Sequence, residues 1–239
     1  MTASPANRFI SALTASDRKQ LLSQVTPFAL VHTRVLQEQG ERIEYVYFPL
    51  NGIISLLAIM ADGQAVESAM VGRGGGVGLA AGLGETRATS RTVVQASGSA
   101  LRISAAQFHK LARQNPSLTA RIGAHQQMLL GQVQQTAACN SLHDAEQRLA
   151  RWLLQAHDLI GEDSTIPFTQ EFLSNILGVR RTTVTLVAGT LQSAGLIRYR
   201  RGLIQVLDRG GLEDAACECY GVVRKLVARS TAESAPRKS

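Results

Sequence analysis

Arg180, Arg181, Arg198, Arg200, Arg201 and Arg209 crowd one short stretch of this chain, and Asp208 is the only acid among them. A guanidinium is planar and permanently charged, and it pairs bidentately with guanine edges or phosphate oxygens. Thr182, Thr183 and Thr185 follow the first two arginines. A threonine hydroxyl can hydrogen-bond a base, and its methyl can touch thymine. The chemistry on offer is the gripping and reading of a polyanion. No nucleophile–base arrangement stands out. His32 is the only histidine in the β-rich region, so the facing His and carboxylate ligands of a small β-barrel enzyme are missing. The chain is therefore not read as an enzyme. Cys139, Cys217 and Cys219 are an odd, sparse set that argues against a disulfide framework. Cys217 and Cys219 could contribute to a soft metal site. They form no CxxC pair and have no adjacent His cluster, so they are read as ordinary thiols, and no metal is expected.

The arginines need elements to aim them. Residues 168 to 208 read FTQEFLSNILGVRRTTVTLVAGTLQSAGLIRYRRGLIQVLD. Thr169 suits an N-cap, with Gln170 and Glu171 in the first turn. Phe172, Leu173, Ile176 and Leu177 make an apolar face, and Gly178 allows a sharp turn. A second helix starts near Arg180, with Val184, Val187, Ala188 and Leu191 as its buried stripe. At 100° per residue, Thr182, Leu186 and Gly189 point away from that stripe, flanked by Thr183 and Thr185. A helix that enters the major groove N-terminus first needs this small, neutral face with a basic lead. YRRGLIQV then reads as a hairpin turning at Arg201-Gly202. Its Arg198, Arg200 and Arg201 suit phosphate contacts, which position a protein without reading sequence. A winged domain that docks a protein, with solvated arginines, would share the helix pair. The complete order of cap, helix, turn, basic-led helix and basic hairpin favours DNA.

The rest of the chain changes texture twice. Residues 8 to 24 read as a short helical lead-in. Residues 28 to 103 alternate short β-rich runs with Gly and Asp turns, which predicts a sandwich or barrel. Asp62-Gly63 marks a hairpin. A short helix follows and stops at Asn115-Pro116. Leu118, Ile122, His125, Leu129, Gln132 and Thr136 then step by threes and fours along a long helix. That stripe could pack on its own barrel or form a seam with a partner helix. The overhang of so long a helix favours the seam, with Gly123 and Gly131 permitting close approach. Residues 143 to 160 form another amphipathic helix. GEDSTIPF reads as a loop. After about residue 210 a short helix and a polar tail are expected. The fold class is α+β.

The net charge is +7 and the pI about 9.8, a balance that suits polyanionic partners. No apolar run is long enough to span a bilayer, and the N-terminus lacks an export signal. A cytoplasmic protein without membrane contact is expected.

The order of segments resembles the Crp/Fnr family of bacterial transcription regulators along nearly the whole chain. VLQEQGERIEYVYFPLNGIISLLAI is similar to that family's opening β-roll. AEQRLARWLLQ, followed by FTQEFLSNILGVRRTTVTLVAGTLQSAGLI, is similar to its DNA-binding domain. The resemblance implies a jelly-roll-like antiparallel sensor domain over residues 1–114 and a dimerisation helix over 115–142. A winged helix-turn-helix would follow over 143–225, with a polar tail over 226–239. It also implies base contacts from Arg181, Thr182 and Leu186. The family often has Arg-Glu where this chain has Arg181-Thr182, a polar or basic residue at Leu186, and Ser at Arg180, so its usual operator is not carried over. Cyclic-nucleotide-binding members carry a Gly-Glu pair and a downstream Arg. Here Val77 and Gly78 fall where the Glu belongs, and Arg91 lies within one residue of the Arg position, with Arg87 nearby. Arg73 and the amides of Gly74, Gly75 and Gly76 could face an anion, or the glycines could merely turn the roll. No cofactor is expected, cyclic AMP included. The N-terminus lacks the cysteines of iron–sulfur members, and His32, the lone candidate haem ligand, is read as structural. The expected function is a sequence-specific regulator acting as a homodimer on a two-fold-related operator, with RNA polymerase as a partner and an unidentified small-molecule effector. The alternative is a cyclic-nucleotide-binding regulatory protein whose C-terminal domain docks a protein.

Overall fold

The computed structural model describes residues 7–160 and 165–232. The chain enters through two short helices, α1 (Arg8–Ser11) and α2 (Ala15–Leu22). The sequence predicted one lead-in. It breaks in two because Thr14 caps α2, its hydroxyl accepting from the Asp17 amide at 3.2 Å.

Seven strands then build two antiparallel sheets. In one, β7 (Gly98–Ser104) lies between β1 (Thr26–Leu30) and β3 (Tyr45–Pro49). The other has the order β2 (Val35–Gln37), β6 (Arg91–Ala96), β4 (Ile53–Ile59), β5 (Ala65–Val71). The β4–β5 hairpin turns at Asp62-Gly63 as expected, with Gly63 at φ 83°. Leu30 and Ala100 from the first sheet meet Ile54, Val71 and Val94 from the second. A short 3-10 helix, Leu79–Leu83, crosses between β5 and β6.

Ser104 caps α3 (Ala105–Gln114), and Asn115-Pro116 separates it from α4 (Pro116–Leu142). The α4 stripe is not a seam with a partner. Leu118, Ile122, His125, Gln132 and Thr136 are all buried within the chain, and Leu129 packs against the core between the sheets. α4 lies against the 3-10 helix, β5 and the last helix, α9 (Cys219–Ala232). A Cβ on Gly131 would stand 3.2 Å from Leu226, so the close approach there is made by α9. What α4 leaves open is a different stripe: Gly123, Gln127, Leu130, Gln134, Ala137 and Ser141 are exposed at alternating steps of four and three.

The C-terminal unit starts with α5 (Ala145–Ile160) and continues through α6 (Gln170–Leu177), α7 (Arg181–Ser193), β9 (Ile197–Arg200), β10 (Leu203–Val206) and α8 (Arg209–Ala215). Two expectations are corrected here. Ile166–Pro167 is a strand, β8, paired with β10, where a loop was predicted over residues 161–168; residues 161–164 lie outside the described residues. Its two residues are too few to show a period. And α9 runs past Lys225 to Ala232, into the segment expected to be tail, because Leu226 and Val227 are half-buried against the rest of the fold. Trp152, Phe168, Leu173, Val184, Leu191 and Ile204 share one core with Ile53, Met70 and Ala96 of the roll. The helical unit is therefore docked on the second sheet. Trp152 Nε1 donates to Glu67 of β5, and Gln95 Nε2 of β6 donates to the Pro167 carbonyl at 2.8 Å.

Candidate nucleic-acid interface

Thr169 caps α6 as expected, its hydroxyl accepting from the Phe172 amide at 3.1 Å. Gly178 closes the helix at φ 60°, and α7 begins three residues later. Val184, Val187, Ala188 and Leu191 are buried, while Thr182, Thr185, Leu186 and Gly189 are exposed and Thr183 is half-buried. Leu186 is 71% exposed, a high value for a leucine in the middle of a helix. Arg180 holds the N-cap position without a side-chain capping bond; its carbonyl takes the Thr183 amide at 3.0 Å, and the positive end of the α7 dipole lies at Arg181 and Thr182.

The leading side chains are held in place. Arg181 Nη2 lies 3.2 Å from Glu171 Oε2, with both side chains mostly exposed. Gln170 Nε2 donates to Thr185 Oγ1 at 3.2 Å, and that hydroxyl donates to the Arg181 carbonyl at 3.1 Å. The wing turns at Arg201 and Gly202, both left-handed at φ 51° and 76°, the pair a tight two-residue hairpin requires. Arg198, Arg200 and Arg201 are exposed on it. Tyr199 anchors its base: the hydroxyl donates to the Phe168 carbonyl at 3.3 Å, and burial pushes the phenol up from its ordinary value. Basic residues thus lead the neutral helical face and stand exposed on the hairpin that follows it.

The residues singled out for an effector do not gather at one place. Arg73 and Gly74 line a 380 Å³ pocket where the roll meets α4, α5 and α9, beside Arg8, Arg209 and Arg224. Gly76 and Arg87 line an 80 Å³ cavity in the roll, closed by Gln126 and Leu129 of α4. Arg91 pairs with Glu38 at 2.6 Å, and Arg87 donates to the Gly40 carbonyl at 2.8 Å. Gly75 makes room for a histidine: a Cβ there would sit 2.2 Å from His125 Nε2. The Gly76 amide donates to that nitrogen at 3.3 Å. Burial, then the charge of Arg121, lowers the His125 pKa to about 4, so the ring is neutral and can accept. The Gly76 amide thus serves the α4 contact, and the Gly75 amide donates to the Gly72 carbonyl at 3.1 Å, so these two are already engaged within the chain. Val77 is buried and pairs with Tyr47. Gly78 sits at φ 78°, where a Cβ would meet Gln37 Nε2 at 2.6 Å and the Tyr45 carbonyl at 2.7 Å, so position 78 cannot present a Glu side chain without rearrangement. His32 Nδ1 donates to the Gln95 carbonyl at 2.7 Å, the structural role expected of it.

Two family models match the chain: a cyclic nucleotide-binding domain over residues 31–115 and a Crp-like helix-turn-helix domain over residues 147–215, together nearly two thirds of its length. The chain belongs to the Crp/Fnr family of transcriptional regulators. No curated sequence matches it. Among solved structures it is similar to FixK2 from Bradyrhizobium japonicum, with TM-score 0.69 and 17% identity over 81% of this chain and 98% of that one. It is also similar to a Crp/Fnr regulator of Thermus thermophilus, with TM-score 0.61 and 23% identity over 80% and 98% of the two chains. The c-di-GMP-responsive regulator CLP of Xanthomonas campestris gives TM-score 0.63 at 17% identity, over 81% and 99%. This Crp/Fnr member is a DNA-binding regulator and not an enzyme. No helix among its described residues is long and apolar enough to cross a membrane.

The sequence offers Cys217 and Cys219 to a soft metal site, where they are read as ordinary thiols, and hides the two residues that join them. Cys139 and His143, at the end of α4, stand beside Cys217 and Cys219. Spacing along the chain gives no sign of the group, because Cys139 and Cys217 are 78 positions apart.

Proposed function

We propose that this protein works as a homodimer that reads a two-fold-related operator and regulates transcription through contact with RNA polymerase in the cytoplasm. The observation that carries the reading is the exposed face of α7, neutral and led by two arginines. Arg181, Thr182 and Leu186 meet base edges, with Thr183 and Thr185 on the flanks. Thr169, Gln170 and Arg180 face the backbone near the start of the groove. Arg198, Arg200 and Arg201 hold phosphates beside it. The dimer forms along the open stripe of α4, whose steps of three and four are those of a helix–helix seam. Half-sites then lie about one helical turn apart, roughly 10 base pairs.

Cyclic AMP is not the signal. The cavity beside Gly76, Val77 and Gly78, at 80 Å³, is small against the ~300–1,000 Å³ of ordinary ligand sites, and Val77 and Gly78 supply no carboxylate for a ribose. An anionic effector fits the 380 Å³ pocket at the domain junction, lined by Arg8, Arg73 and Arg224. Selection of bound DNA from a random pool, with and without cyclic AMP, tests this reading. The expected product is one inverted repeat, the same under both conditions. Enrichment of an asymmetric site, or of none, rejects the two-fold reading, and a requirement for cyclic AMP rejects the effector assignment.

A further inference from the structure

Three thiols and an imidazole converge where the long helix ends. Cys139 lies in the last turn of α4 and His143 is its C-cap residue. Cys217 and Cys219 sit between α8 and the first turn of α9. One candidate ligand atom from each residue lies within 4.8 Å of all the others. Cys139 Sγ and Cys217 Sγ are 3.5 Å apart, and Cys219 Sγ is 3.6 Å from His143 Nδ1. A tetrahedral zinc ion with Zn–S of about 2.3 Å and Zn–N of about 2.0 Å has ligand–ligand edges of roughly 3.6 to 3.8 Å. Two of the edges are thus already near their bound length, and the widest separation needs a contraction of about 1 Å.

The surroundings point the same way. Glu218 Oε2 lies 3.1 Å from His143 Nε2, so that nitrogen carries the proton and Nδ1 presents its lone pair to the sulfurs. A carboxylate behind the far ring nitrogen is the usual partner of a metal-bound histidine. Gln135 Nε2 donates to Cys219 Sγ at 3.0 Å, as it would to a coordinated thiolate. All three cysteines are buried and His143 is half-buried, so an ion here would be shielded from water. Three soft sulfurs and one imidazole select zinc and its neighbours over magnesium or calcium.

We propose that Cys139, His143, Cys217 and Cys219 bind one zinc ion per chain, which clamps the end of α4 to the start of α9. The ion takes four ligands and leaves no open position, which makes the site structural and not catalytic. α5 begins two residues after His143, so the clamp sits at the hinge between the long helix and the DNA-binding unit. Metal binding would fix the angle at which that unit leaves α4.

The test uses the full chain purified under reducing conditions, loaded with zinc and freed of excess. One bound zinc per chain is expected by elemental analysis. Cobalt in its place should give the strong visible bands and thiolate charge transfer of a tetrahedral sulfur-rich site. Zinc should also raise the Tm in proportion to the logarithm of its concentration. Cys217→Ser should abolish stoichiometric binding. Should that variant fail to fold, Glu218→Gln supplies the second arm: it keeps all four ligands and should weaken zinc affinity about 10- to 100-fold. Sub-stoichiometric zinc in the wild type, the weak spectrum of octahedral cobalt, or a Cys139–Cys217 disulfide persisting under reduction would each overturn the assignment.

Discussion

Arg181 and Arg200 carry the same charge and do different work because of where each stands. Arg181 opens α7 beside the neutral face, and its pair with Glu171 at 3.2 Å holds the guanidinium at the helix's leading end. Both partners are exposed, so this pair is worth little to stability and its value is orientation. Arg200 lies on the wing, off the helical face. Arg181→Ala should therefore cost about 1–3 kcal/mol at one base position and relax the preference there. Arg200→Ala should weaken binding to all sequences alike and lower the salt slope of log K by about one. Anisotropy titrations on the selected operator and its single-base variants, at several salt concentrations, separate the two. If Arg200→Ala shifted base preference as Arg181→Ala does, the division of roles would fail.

Between elements, the contact of α5 with β5 has a titratable centre. Glu67 is fully buried, and Trp152, the single tryptophan of the chain, donates its indole N–H to it. Burial pushes the Glu67 carboxyl from 4.5 up to about 7, against the pull of Ser55, Trp152 and the Arg151 charge. The folded state thus holds a proton that the unfolded chain releases above about pH 4.5. Its contribution is complete below that pH and is lost as pH rises through 7, at most about 3 kcal/mol. Glu67→Gln keeps an acceptor for the indole and removes the charge. It should match the wild type near pH 4 and exceed it at pH 8 by about 1–3 kcal/mol in urea unfolding. Trp152 fluorescence should titrate near pH 7 in the wild type alone, and a wild-type signal flat across that range would sink the argument. None of this contact was legible in the sequence, where Glu67 is one acid in an alternating strand. What was legible had a period behind it. The α7 face followed from 100° per residue, and the Arg201-Gly202 turn from the φ values a short hairpin needs. The α4 stripe was legible as a buried face, but its neighbour was not, because a period shows that a face is buried and not what buries it. The four-residue thiol and imidazole cluster has no period at all; only the packing of α9 along α4 assembles it.

At the scale of the whole molecule, α4 has two jobs on two faces. One face is consumed by its own chain: His125 accepts from the Gly76 amide, Leu129 closes the roll, and Gly131 admits Leu226. The other carries Leu130, 49% exposed, among the small and neutral residues Gly123, Gln127, Gln134, Ala137 and Ser141. A stripe at heptad spacing with small residues at Gly123, Ala137 and Ser141 lets a second helix lie close. Paired along it, two copies would hold their α7 helices at a fixed separation, which converts two weak half-site contacts into one strong one. Leu130→Asp places a charge in that seam and disturbs nothing buried within the chain. It should shift the sedimenting species from dimer to monomer while leaving the circular dichroism spectrum unchanged. It should also weaken binding to the full operator far more than to an isolated half-site. A variant that stayed dimeric would place the interface on another face. A variant that became monomeric yet bound the full operator as tightly as the wild type would show that spacing is not what the long helix supplies.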